Sequence, residues 1–147
     1  RQQQRGFSLL EILVSLSILA VILGAGYFST KSYRAERHVQ TQMDKVRDFA
    51  RQAMGLCQQT GAPHQIHFDL RDLELELYRG EDLQRSESID RISLSGVSLE
   101  TSVEEWHFRP PGVCDPTTVR LESSSASLEC QFHPLTGRVT ETVFEAF

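Results

Sequence analysis

The sequence predicts an α+β protein, with one long N-terminal helix packed on an antiparallel β-sheet head. Three observations carry this. Apolar residues run almost unbroken from Phe7 to Phe28. Helical spacing of apolar residues then continues without a proline until Pro63. Beyond Pro63 the period changes to two, the signature of half-buried strands.

The apolar run, FSLLEILVSLSILAVILGAGYF, contains one charge, Glu11. At about 1.5 Å of rise per residue, a helix over 7–28 is long enough for a bilayer core of about 30 Å. Two basic residues, Arg1 and Arg5, precede it, and positive-inside logic keeps that end cytoplasmic. A cleaved secretory signal has a shorter apolar core, although Gly24 and Gly26 offer small residues for a cut. A plain anchor accounts for the length but not for Glu11, because a carboxylate within a membrane costs about 2.5–3.5 kcal/mol even on insertion scales. Such a group is usually functional and usually paired.

From residue 29 to 61 the chain reads as an amphipathic helical spine. Val39, Met43, Val46, Ala50, Ala53 and Cys57 recur at spacings of three and four, which makes one narrow stripe. Most of the charged residues between Lys31 and Arg51 fall elsewhere on the helical wheel. Gly61 and Pro63 supply the stop. A single helix from about Phe7 to about Gln59 would be about 80 Å long. Gly24 and Gly26 are its weak point, each costing about 1 kcal/mol relative to alanine. The stripe reads as the side of the head's core rather than a coiled-coil seam.

Residues 62–147 read as a head of six to eight antiparallel strands. Alternation is visible at Ile66/Phe68/Leu70, Leu73/Leu75/Leu77, Val97/Leu99/Val103, Trp106/Phe108, Val119/Leu121 and Leu128/Cys130/Phe132, with Val139 and Val143 in a last strand. Leu70–Leu73 and His133–Arg138 read as hairpin turns. Charge is segregated too. Residues 1–62 hold eight basic and four acidic residues, whereas 63–147 hold seven basic and 16 acidic, within a whole-chain net charge of -5. An acidic head argues against nucleic-acid binding.

The residues Arg5-Gly6-Phe7-Ser8-Leu9-Leu10-Glu11 resemble the prepilin cleavage and methylation motif of type IV pilins and type II secretion pseudopilins. The resemblance implies that 1–6 is a leader or its remnant. It implies that a prepilin peptidase cuts after Gly6 and methylates the new amino group of Phe7. It implies a single-pass protein of the bacterial inner membrane with a periplasmic head, whose 7–28 segment later becomes filament core. Glycine suits the cut because no side chain blocks close backbone approach. Glu11 stands one turn from the new N-terminus, where the helix dipole favours an anion. In the family's logic, this carboxylate meets the amino group of a neighbouring subunit, so that both charges are buried in register. In the head, Phe108-Arg109-Pro110-Pro111-Gly112 and Thr136-Gly137-Arg138-Val139 look like the head of the H-type minor pseudopilins.

The function so implied is that of a minor pseudopilin. It is a structural subunit of a periplasmic pseudopilus, with other pseudopilins, the peptidase and the inner membrane as partners. The competing readings are a minor type IV pilin for adhesion or DNA uptake and an unrelated single-pass anchored protein. If the head lies in an oxidising compartment, Cys114 and Cys130 are a candidate disulfide, stabilising by roughly 3 kcal/mol in the chain-entropy model. Cys57 reads as a small buried hydrophobe, and its pairing with either other cysteine stays open on sequence alone. No cofactor is expected. No metal site is expected either, because His64 and His67 fall on opposite faces of a strand and no Cys-x-x-Cys pair occurs. The acidic runs at 69–76 and 81–90 read as solvated strand faces or loop. No nucleophile elbow, phosphate loop or other catalytic signature is present in the sequence, and no enzyme activity is expected.

Overall fold

The computed structural model describes Leu9–Gly80 and Glu87–Ala146, with backbone alone for 25–32. The chain divides into two compact units, Arg1–Arg34 and Ala35–Phe147. Helix α1 (Leu9–Thr60) supplies the described part of the first unit and the opening of the second. Its helical assignment is unbroken at Gly24 and Gly26. It ends as the sequence requires. Gly61 takes φ +64° and its N–H donates to Cys57 O at 3.0 Å, a left-handed cap that a residue with a Cβ adopts only at a cost.

The second unit holds nine strands among the described residues: β1 (His64–Asp69), β2 (Glu74–Arg79), β3 (Glu87–Ser93), β4 (Ser98–Thr101), β5 (Glu105–Arg109), β6 (Val113–Cys114), β7 (Thr117–Glu122), β8 (Ala126–Phe132) and β9 (Val139–Ala146). They form two antiparallel sheets. The first has order β3-β2-β1-β5-β6 and the second β4-β7-β8-β9. The architecture is thus the expected α+β, with a longer strand list. Short β6 carries no alternation to read, and β3 lies at a sheet edge with nearly all its residues exposed. The acidic residues Glu74 and Glu76 on β2 are held by Arg91 of β3, at 3.2 and 2.8 Å.

Both hairpin turns form. Asp69 Oδ1 accepts from the N–H groups of Arg71 and Asp72 at 2.8 and 3.2 Å, an Asx turn between β1 and β2. His133 N–H donates to Arg138 O at 2.8 Å between β8 and β9. Leu70 therefore lies in a turn, exposed, rather than extending the buried alternation of β1. Val143 is likewise exposed on β9.

The core lies within the second unit. All six stripe residues of the helix are buried, and Phe49 and Met54 join them, so the buried face is broader than the stripe. Trp106 sits at the centre, its ring centroid 4.9 Å from that of Phe108 and 4.7 Å from that of Phe132. Its indole N–H donates to Asp115 O at 2.8 Å, so the largest buried side chain leaves no orphan donor.

Candidate assembly site

Gly6 and Phe7, the residues at which processing is expected, lie outside the described residues, and Glu11 lies within them. Glu11 falls in the first turn of α1 as described and is exposed. From Leu9 to Gly24 it is the sole ionisable side chain. The neighbouring polar groups are satisfied inside the helix: Ser15 Oγ donates to Glu11 O and Ser17 Oγ to Leu13 O, each at 2.8 Å. Such back-bonding lets a serine sit in apolar surroundings without an unmet donor. The Glu11 carboxylate is left as the one charged side chain in this stretch.

Every described side chain from Leu9 to Gly24 is exposed in the isolated chain. Leu9, Leu10, Val21 and Leu23 stand out at 64–79% exposure, and apolar residues surround the helix on all sides. A helix that is hydrophobic all round is covered by lipid or by other helices, because each large apolar side chain left in water forfeits about 1.5–3 kcal/mol. Among the described residues no helix is long and apolar enough to cross a membrane. The apolar run of the sequence extends over 7–28, and only Leu9–Gly24 of it has described side chains.

In the head, the Phe108–Gly112 pattern forms the turn between β5 and β6. Gly112 N–H donates to Arg109 O at 2.8 Å, and the Pro110–Pro111 peptide is cis. Gly112 has φ +124°, and a Cβ built on it would meet Gln58 Nε2 at 2.5 Å. The glycine is required both by backbone conformation and by the approach of the helix's last turn. Gly137, in the Thr136–Val139 pattern, takes φ +59° with Met54 Cε at 3.2 Å from a Cβ position. Both glycines of the resemblance therefore mark places where the helix and a hairpin come close.

The candidate disulfide is not formed. Cys57, Cys114 and Cys130 are free and buried. Cys114 Sγ donates to His133 O at 3.5 Å, while Cys130 Sγ lies 3.2 Å from Arg47 Nη2 and 3.9 Å from Thr142 Oγ1. The two thiols belong to different sheets, Cys114 on β6 and Cys130 on β8, and each has its own polar neighbour. Burial pushes the Cys114 and Cys57 thiols above their ordinary pKa. Burial opposes the charge of Arg47, but its bonds to Cys130 and Asp44 outweigh this and raise its pKa. His64 and His67 do face opposite sides of β1, and no group of metal-ligating side chains occurs among the described residues.

Residues 1–27 match the family described as the prokaryotic N-terminal methylation motif. No curated protein matches the chain by sequence. The chain thus joins a methylation motif over residues 1–27 to a helix-on-sheet head of pilin-like fold. Among solved structures, the fold is similar to that of the minor pseudopilin EpsH from the Type 2 Secretion System of Vibrio cholerae. The two share 9% sequence identity with a TM-score of 0.56, over 74% of this chain and 97% of that one.

Proposed function

We propose that the protein is a minor pseudopilin, a structural subunit of the periplasmic pseudopilus of a type II protein secretion system. The observation that carries this reading is the joint presence of a methylation motif over residues 1–27 and a head with the fold of a minor pseudopilin. The mechanism is assembly. The 7–28 segment anchors the precursor in the inner membrane with its N-terminus cytoplasmic. A prepilin peptidase removes 1–6 and methylates the amino group of Phe7. Glu11 then pairs with the amino group of an adjacent subunit, and apolar helices replace lipid as the cover for Leu9–Leu23. The pairing sets axial register, because a misplaced subunit would bury a carboxylate and an amine without compensation.

Mass spectrometry of the N-terminus of the protein purified from native membranes tests the reading. The expected mature chain begins at N-methylated Phe7. A working protein that keeps Arg1–Gly6 would overturn it, since no free amine would then exist beside Glu11. Deletion of the gene should abolish or reduce secretion through an outer-membrane channel without loss of surface pili.

A further inference from the structure

The head carries 16 acidic and seven basic residues over 63–147, yet one cavity in the second unit is lined by three arginines. Arg47 and Arg51 come from α1, and Arg138 from the hairpin before β9. Phe132, Gly137 and Val139 complete the wall around about 280 Å³. The guanidinium groups are unequally satisfied. Arg47 is paired with Asp44 at 3.0 Å and Arg51 with Asp48 at 2.8 Å. The guanidinium of Arg138 makes no hydrogen bond or ion pair with the described residues. Arg47 Nε is buried with no hydrogen-bond partner, a donor that ordinarily costs about 1–3 kcal/mol if left unmet.

The cavity opens beside an uncovered strand. On β8, Ala126, Leu128, Cys130 and Phe132 face the core and are buried, and Cys130 touches Arg47 of the helix. The residues opposite them on β9, Ala146, Phe144 and Thr142, lie on the same face but are exposed. The helix therefore covers β8 and stops short of β9. The result is a step with an apolar floor at Phe132 and Val139, an aromatic side chain at Phe144, two arginines along the helix side that share their charge with Asp44 and Asp48, and the uncompensated charge of Arg138 at the hairpin.

We infer that this cleft between α1 and β9 receives a carboxylate-bearing segment of another pilin-like subunit's head. Charge complementarity selects the occupant: an apolar floor beside the Arg138 guanidinium, which has no partner among the described residues, and the unmet Arg47 Nε suits an acidic peptide. Arginine offers the planar, two-pronged donor set that carboxylates take up. Such a contact orients neighbouring heads and discriminates against subunits that present neutral or basic segments. The inference rests on the assembly reading above and adds a head-to-head contact to the register set by Glu11.

The test uses the full-length protein in native cells, with a photo-crosslinking amino acid at Leu135, which is 63% exposed on the same hairpin as Arg138. The expected adduct is a Asp- or Glu-bearing peptide of another pilin-like subunit. Arg51→Glu with Arg138→Glu should lower its yield at least about fivefold at unchanged protein level, whereas Arg51→Lys with Arg138→Lys should retain most of it. Arg47 is left intact because it also holds Cys130 in the core. An adduct to a pilin-like subunit that is insensitive to charge reversal overturns the cleft while leaving the assembly reading in place. An adduct only to lipid, nucleic acid or an unrelated protein also overturns the cleft, and the state of Phe7 in the same sample then reports separately on assembly.

Discussion

Trp106 of β5 and Phe132 of β8 meet edge to face with ring centroids 4.7 Å apart, and this contact joins the two sheets of the head. Phe68 and Phe108 flank the same indole from within the first sheet. One side chain thus supplies packing to both sheets. Replacing it leaves a cavity rather than a local gap. Trp106→Ala should destabilise the head by about 3–5 kcal/mol. The measurement is denaturant unfolding of the full-length protein in detergent micelles, followed by far-UV circular dichroism; a loss below about 1 kcal/mol would show that the sheets do not depend on this contact.

Glu11→Ala should leave cleavage after Gly6 intact and impair assembly. Removing one member of a buried ion pair costs about 3–5 kcal/mol, so incorporation into filaments should fall at least about a hundredfold. Immunoblotting of sheared or crosslinked filaments reads incorporation, and gel mobility of the membrane fraction reads processing. Gly6→Leu should do the reverse and hold the protein as precursor.

Gly112→Ala introduces a Cβ at 2.5 Å from Gln58 Nε2 and forces φ +124° on a residue with a side chain. Backbone strain of this kind costs about 1–3 kcal/mol, and the clash adds to it. Truncating the neighbour, in Gly112→Ala with Gln58→Ala, should relieve the clash and leave the backbone cost. A double-mutant cycle in thermal denaturation separates the two. Strictly additive effects would mean that the helix end does not press on this turn.

The Asp69 carboxylate is held below the ordinary range by the N–H groups of Arg71 and Asp72, with smaller charge effects from His67 and Arg71. A depressed folded pKa contributes stability that is complete above the unfolded value, about 3.9, and is lost as pH falls through the lower folded value. Asp69→Ala should therefore lower stability at neutral pH and flatten the acid limb of the stability profile. Melting temperatures from pH 2 to pH 7 check this. Parallel profiles for the two proteins would contradict it.

All three thiols should react slowly in the folded protein and fully after denaturation without reductant. Burial removes access, and for Cys57 and Cys114 it also raises the thiol pKa, which reduces the reactive thiolate at neutral pH. Alkylation with mass detection should count three modified cysteines in denatured, unreduced protein. A count of one would mean that a bridge has formed.

The local rules that proved readable act over a few residues. Stripe positions Val39 to Cys57 are buried because a helix of fixed pitch can present one face. Gly61 ends that helix by adopting a conformation that other residues disfavour. The Asp69 and His133 turns depend on side chains bonding to nearby backbone. The reach of β3 and β6 was not readable. An edge strand with an exposed acidic face and a two-residue strand are specified by their partners, Arg91 on Glu74 and Glu76 in one case and Phe108 opposite Cys114 in the other. The placement of Cys114 and Cys130 was not readable for a related reason, since closeness in sequence does not report that two strands enter different sheets.

By itself the sequence determined the order of segments: a methylation motif, an apolar helix bearing one carboxylate, an amphipathic continuation and an acidic β-rich head. Each follows from periodicity, charge or a short motif, and these act through neighbours on the chain. Tertiary structure alone decided that Arg138 stands beside Arg47 and Arg51, that Trp106 bridges two sheets, and that the helix leaves β9 uncovered. Those relationships join residues far apart along the chain. Only the register of strands and the placement of a helix on them can bring such residues together.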